Sequence, residues 1–236
     1  MVITDWNNRK GEMSNRKVRV LGILVYLYAV LLTGNVSAQE VENQVQFRSD
    51  AAFSKKITPK LKIELEPELR WLYSEGFDRF LLNGQLEYKL IKYLEVFAGY
   101  RLVWDRNDEE EINKYDKYHR YQFGATGKIE LFDFKPSLRL MYTDYSDDTE
   151  SDNGNNFIRY KMSLEYNIPK CKLTPEIAFE GFYKLDESNI YKYRYKAGLD
   201  YKISKTLSVS TGYSLDYYMT DYKNRHIIDI GLKLRL

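Results

Sequence analysis

Two histidines, His119 and His226, are the side chains of this 236-residue chain best suited to accept a proton near neutral pH. General-base chemistry would need a nucleophile beside one of them. On an extended strand the same-face neighbour lies two residues away. Those places, 121 and 228, hold tyrosine and isoleucine rather than serine. Ser214, Asp144, Asp216 or Asp221 could serve only if the fold carried them close. The single cysteine, Cys171, cannot close an internal disulfide. It sits beside a turn sequence and reads as structural filler. No zinc-ligand spacing, phosphate loop or nucleotide fingerprint occurs, so neither metal nor cofactor is expected.

Most of the chemistry on this chain is ionic, and it is periodic. From Leu61 to Tyr73 one face reads Leu61, Ile63, Leu65, Pro67, Leu69, Trp71, Tyr73, and the other reads Lys62, Glu64, Glu66, Glu68, Arg70, Leu72. A period of two is a β-strand dividing two environments. The charged face continues through the chain as Arg79, Glu87, Glu95, Arg101, Arg120, Arg139, Arg159 and Lys161. It then runs on through Glu165, Glu176, Glu180, Arg194, Asp200, Asp216 and Asp229. Each Arg or Lys placed in lipid near the bilayer midplane would cost about 2–4 kcal/mol. These residues, with Glu66, Glu68 and Arg70, are therefore expected to line the interior of a barrel whose apolar face meets lipid. Both signs occur in similar number, so neutralising pairs are available. They could seal the lumen or leave a narrow water path, and the mixture favours neither cations nor anions.

Eleven segments carry the alternation, at about residues 44–57, 61–73, 79–90, 94–104, 119–129, 134–143, 157–166, 173–183, 191–203, 207–217 and 225–236. Most are longer than the 5–6 residues usual for soluble strands and match the roughly 9–11 needed to cross a bilayer at a tilt. Short connections alternate with longer polar ones, the pattern of an outer-membrane barrel with its short turns in the periplasm. A barrel with both termini in the periplasm needs an even strand count. Twelve strands are therefore expected, the extra one from residues 39–45, with ten as the other choice. Pro67, Pro136 and Pro175 fall in strands that leave short turns, and bulges or unpaired positions are expected there. Trp71, Tyr73, Trp104, Tyr142, Tyr183, Tyr191 and Tyr217 gather near the loop-side ends, and Tyr88, Tyr93, Tyr166 and Tyr201 near the turn side. They read as two interfacial aromatic girdles. Three short turns share a pattern. Residues 55–61 align with 88–94 and 201–207, as repeated hairpins do.

The opening segment differs. Arg9, Lys10, Arg16, Lys17 and Arg19 precede an apolar run from Val20 to Leu32, and Val36-Ser37-Ala38 follows. This is the layout of a cleaved secretory signal peptide, residues 1–38, leaving a barrel of residues 39–236. That segment holds five of the 36 basic and two of the 34 acidic residues, so the mature chain is near −1. No basic excess remains to recruit nucleic acid. The acidic run between residues 145 and 156 reads as a solvated loop, with a divalent-ion site shared with lipopolysaccharide phosphates as the sharper alternative.

Residues 60–70, Leu86-Glu87-Tyr88-Lys89-Leu90 and Ala98-Gly99-Tyr100-Arg101 resemble an uncharacterised Bacteroidetes outer-membrane β-barrel family, catalogued as domain of unknown function 2490. The resemblance spans most of the mature chain and implies an outer-membrane barrel, but carries over no active-site residue. The expectation is thus an all-β, single antiparallel transmembrane barrel. Its partners would be the bilayer, lipopolysaccharide and the outer-membrane assembly machinery. Its role would be a narrow or charge-plugged small-solute channel or a structural barrel without enzymatic activity. The alternatives are a lipase- or protease-type hydrolase using His119 or His226, and a barrel whose loops bind a surface ligand.

Overall fold

The computed structural model describes residues 42–107, 114–147, 156–219 and 223–236. The signal segment and most of the acidic 145–156 run lie outside the described residues.

Eleven strands form among the described residues. They are β1 (Glu42–Lys56), β2 (Leu61–Leu72), β3 (Gly76–Ile91), β4 (Leu94–Asn107), β5 (Lys114–Lys128), β6 (Phe134–Asp147), β7 (Phe157–Tyr166), β8 (Leu173–Lys184), β9 (Asn189–Lys202), β10 (Leu207–Tyr218) and β11 (Lys223–Arg235). Each pairs with its sequence neighbours, and β11 returns to β1 to close the barrel. Ten antiparallel steps leave the first and last strands pointing the same way, so the closing pair must be parallel. It is, and it runs unbroken from Glu42↔Lys223 to Ser54↔Arg235. The expected twelfth strand is not part of the ring, because Glu42 to Val45 extend β1 instead. One parallel seam removes the need for an even count, and it sets the two ends of the barrel domain at opposite rims. The start of β1 lies with the loops that follow the even-numbered strands. The end of β11 lies with the turns that follow the odd-numbered ones.

The period of two sorts the side chains. Outward residues such as Phe123, Leu138 and Ile230 are 55%, 56% and 58% exposed, while inward Gln46, Thr143 and Asp216 are fully buried. A domain that turns its aliphatic side chains out and its polar ones in reverses the order of a soluble protein.

Local chemistry explains the short turns. Thr58 Oγ1 accepts hydrogen bonds from the Lys60 and Leu61 amides at 3.2 and 3.0 Å. Ser204 Oγ does the same for Thr206 and Leu207 at 3.2 and 3.0 Å. A hydroxyl that satisfies two turn amides is what the repeated sequence encodes. The third repeat closes more tightly, with Ile91 opposite Leu94.

The prolines produce gaps rather than bulges. At Pro67 the β1–β2 ladder lapses between Asp50↔Glu68 and Phe53↔Leu65 and resumes in the same register, while Pro67 still faces Leu82 of β3. Its missing N–H removes a bond toward β1 without shifting the strand. Pro175 stands one place beyond the last β7–β8 pair, and Pro136 one beyond the last β5–β6 pair. The irregularities in register fall elsewhere, at Arg70/Trp71, Lys89/Ile91 and Phe182/Tyr183. The last of these makes Tyr191 the extra residue of a bulge. Its ring contacts buried Phe157 and Tyr218, with centroids 5.6 and 5.4 Å away, instead of joining the outer girdle.

Candidate functional site

The strands place Glu66, Glu68, Arg70, Arg79, Glu87, Glu95, Arg101, Arg120, Arg139, Arg159, Lys161, Glu165, Glu176, Glu180, Arg194, Asp200, Asp216 and Asp229 on the face opposite the exposed aliphatic rows. Adjacent strands stand about 4.8 Å apart, so long side chains reach across two of them, and ion pairs form around the wall.

The tightest group spans β7 to β10. Asp216 is fully buried and takes Arg194 Nε at 2.5 Å and Lys192 Nζ at 2.8 Å. Arg194 also approaches Glu180 at 3.9 Å, and Glu180 accepts from Arg159 at 2.7 Å. Charges alternate in this chain, so each desolvated group has a partner. The Phe182 ring lies among the cations, 4.6 Å from Arg159, 4.8 Å from Lys192 and 5.3 Å from Arg194. Its π face adds cation–π attraction where water is excluded.

A second group joins β1 to β4. Glu68 holds Arg70 at 2.5 Å and Arg48 at 4.0 Å, and Arg79 lies between Asp78 and Asp105 at 3.2 Å from each. Toward the turn rim, Lys62 meets Glu87 at 2.9 Å, Lys128 meets Glu95 at 2.6 Å, Lys161 meets Glu176 at 3.4 Å and Lys233 meets Asp200 at 3.2 Å. Lys196 reaches Asp229 at 3.6 Å. Glu66 and Glu165 have no ion-pair partner within 4.0 Å among the described residues.

A cavity of about 110 Å³ opens between these groups, bordered by Arg48, Lys161, Glu180, Arg194, Lys196 and Asp229. It is large enough for several waters or one small polyatomic ion. Its border carries four cations against two carboxylates.

The histidines are elsewhere. His119 hydrogen-bonds with the Tyr100 hydroxyl on the outer face. His226 Nδ1 lies 2.7 Å from the Tyr213 hydroxyl, and its Nε2 3.4 Å from Asn43 Oδ1. Both are built alike, a histidine on one strand meeting a tyrosine set two places along its neighbour. Ser214 and Asp216 point to the other side of the same sheet, where Ser214 donates to Asp229 at 3.3 Å. Asp144 shares the outer face with His119 but pairs across from Tyr121, and Asp221 lies outside the described residues. The fold therefore brings none of the inward nucleophile candidates to an imidazole. Cys171 is exposed in the β7–β8 turn.

Sequence reasoning missed the apolar residues that face inward. Leu81, Phe97, Phe157, Phe182, Tyr218 and Ile227 are buried there. Their signal was present as breaks in the charged rows, such as phenylalanine two residues after Glu180 and two after Glu95.

The family description "Protein of unknown function (DUF2490)" matches residues 46–226, nearly the whole barrel. No curated protein matches. Among solved structures, OmpT of Vibrio cholerae aligns with 11% identity and a TM-score of 0.39, over 66% of this chain and 53% of that one. An anion-selective porin from Comamonas acidovorans aligns with 10% identity and a TM-score of 0.35, over 67% and 48%. OmpT of Vibrio cholerae folded in vitro aligns with 9% identity and a TM-score of 0.37, over 72% and 84%. The chain thus spans about half the length of the first two.

Proposed function

Because the chain belongs to the DUF2490 family, whose description assigns no activity, we propose a role from the lumen itself: an outer-membrane barrel that passes small hydrated solutes through a narrow, ion-paired interior, without enzymatic chemistry. The observation that carries this reading is the inversion of the domain. Ionised side chains fill the inside and a continuous aliphatic belt covers the outside. Such a belt is stable only against acyl chains.

Barrel size sets the width. Eleven strands spaced by about 4.8 Å and tilted near 40° give a backbone radius of about 11 Å. Eight-stranded barrels are filled by their side chains, and barrels of 16–18 strands hold an open aqueous channel. Eleven falls between. Arginine and lysine side chains reaching in from every strand but β10 narrow the passage to the scale of the 110 Å³ cavity. Solutes much larger than a hydrated ion are excluded.

The test is conductance of the refolded full-length barrel in planar bilayers. Small, discrete steps are expected. A barrel that is folded and inserted yet silent would overturn the conduit and leave a structural plug. The His119→Ala/His226→Ala double variant should conduct like the parent, since both imidazoles lie on the lipid side.

A further inference from the structure

Arg48 is a lumen cation with open hydrogen bonds. Its side chain is only 10% exposed. Its Nε donates to Gln46 Oε1 at 2.8 Å, and Gln46 Nε2 donates to Asp78 at 2.7 Å, which fixes that oxygen in place. Glu68 comes no nearer than 4.0 Å and binds Arg70 instead, at 2.5 Å. The terminal nitrogens of Arg48 meet no acceptor among the described residues. A mostly buried guanidinium with its outer edge unsatisfied calls for a partner.

The parallel seam shows where that partner fits. Arg48 stands directly opposite Asp229, a register that suits an ion pair. The two do not meet within 4.0 Å. Asp229 turns toward β10 and β9, where Ser214 donates to it at 3.3 Å and Lys196 lies 3.6 Å away. Arg48 is held the other way by Gln46, and both line the 110 Å³ cavity. Small residues keep that space open. Lys196 faces Ala178 on one side and Ser214 on the other. Gly212 lies opposite Gly198, and a Cβ on Gly212 would stand 3.3 Å from Lys196 Cε. The lysine stem therefore lies along the glycine pair and does not fill the room beside Ala178 and Ser214.

Charge decides what fits. Arg194 is taken up by Asp216, and Glu180 by Arg159, which donates at 3.0 and 2.7 Å. Asp50, the next inward residue of β1, turns to Gly231, where its oxygens would lie 2.8 and 3.0 Å from a Cβ. Lys161 makes one hydrogen bond, to Glu176 at 3.4 Å, and Lys196 has its ion pair without one. The donors left open around the cavity thus belong to three cations, Arg48, Lys161 and Lys196. A guanidinium edge matches a group that presents two oxygens to two parallel N–H bonds.

We infer that this cavity binds one small oxyanion, a phosphate or carboxylate group, with Arg48 as the bidentate contact and Lys161 and Lys196 as flanking charges. This names a solute class for the conduit reading and rests on it for passage, though not for binding.

The experiment titrates the full-length barrel, refolded in neutral detergent, with inorganic phosphate and separately with acetate, by calorimetry at constant ionic strength. Saturable binding of at least one is expected, and the tighter of the two identifies the group. Arg48→Gln should weaken it about tenfold or more, the order of a lost charge-assisted contact. Ala178→Leu, which alters no charge but fills the cavity, should weaken it as much. Absence of saturable binding of either anion by the parent overturns the inference. So does unchanged binding in either variant once heat-modifiable migration shows it folded. A silent barrel that still binds would instead overturn the conduit and leave the site standing.

Discussion

At the scale of single residues, burial and partner decide what a charge does. Asp216 is fully buried between Lys192 and Arg194, so Asp216→Asn removes the carboxylate between two cations and leaves Arg194 only the more distant Glu180. Breaking a buried pair in this way costs about 3–5 kcal/mol. The expected result is a lower urea midpoint for the refolded barrel, read by gel migration or tryptophan emission. Phe132 presents the opposite case. It adopts φ 56° at the tip of the β5–β6 turn and is fully exposed, so its ring contributes no packing. Left-handed backbone costs an ordinary residue about 1–2 kcal/mol and asparagine less. Phe132→Asn should therefore stabilise the barrel by about 1 kcal/mol in the same unfolding assay. Neither effect follows from residue type alone. The sequence shows an aspartate in a charged row and a phenylalanine near a turn. It does not show which aspartate meets two cations or which turn residue takes a positive φ.

At the scale of elements, the alternating pattern made the strands legible. All eleven segments read from the period of two form strands, with ends displaced by only a few residues in most cases. The faces were legible for the same reason, since one odd or even choice settles a whole strand. The prolines show where local reading stops. A proline announces a missing donor, but whether the chain answers with a bulge or a gap depends on the neighbouring ladder. At Pro67 the answer is a gap toward β1. Pro67→Val should restore the donor and add about 1 kcal/mol of stability. The check is hydrogen exchange in the variant: the amide gained at position 67 should be protected, and its neighbours should exchange more slowly than in the parent. A fast-exchanging new amide beside unchanged neighbours would mean that the lapse has another cause. The inward aromatics Phe97 and Phe182 were hidden for a related reason. Sequence rules place large apolar residues on the lipid face, and only the neighbouring guanidinium groups explain why these rings are stable inside.

At the scale of the whole molecule, closure governs. The odd strand number forces one parallel pair, and the parallel pair separates the ends of the barrel domain. An epitope inserted just before Glu42 should therefore be protected or exposed oppositely to one placed after Leu236. Antibody labelling of intact and permeabilised cells reads this directly, and labelling of both from the same side would contradict an eleven-strand closure. Ion pairing belongs to this scale too. Arg79 and Asp105 stand far apart in sequence and meet because β3 and β4 lie side by side in register.

The amino-acid sequence by itself determined the class of fold, the sorting of side chains between two environments and the number of alternating segments. These depend on the two-residue repeat of an extended backbone, which is a local property. Tertiary structure alone decided how the ring closes and which charges neutralise each other. Those depend on distances between strands far apart in the chain, and a Coulomb interaction or a hydrogen bond has no strength until that distance is set.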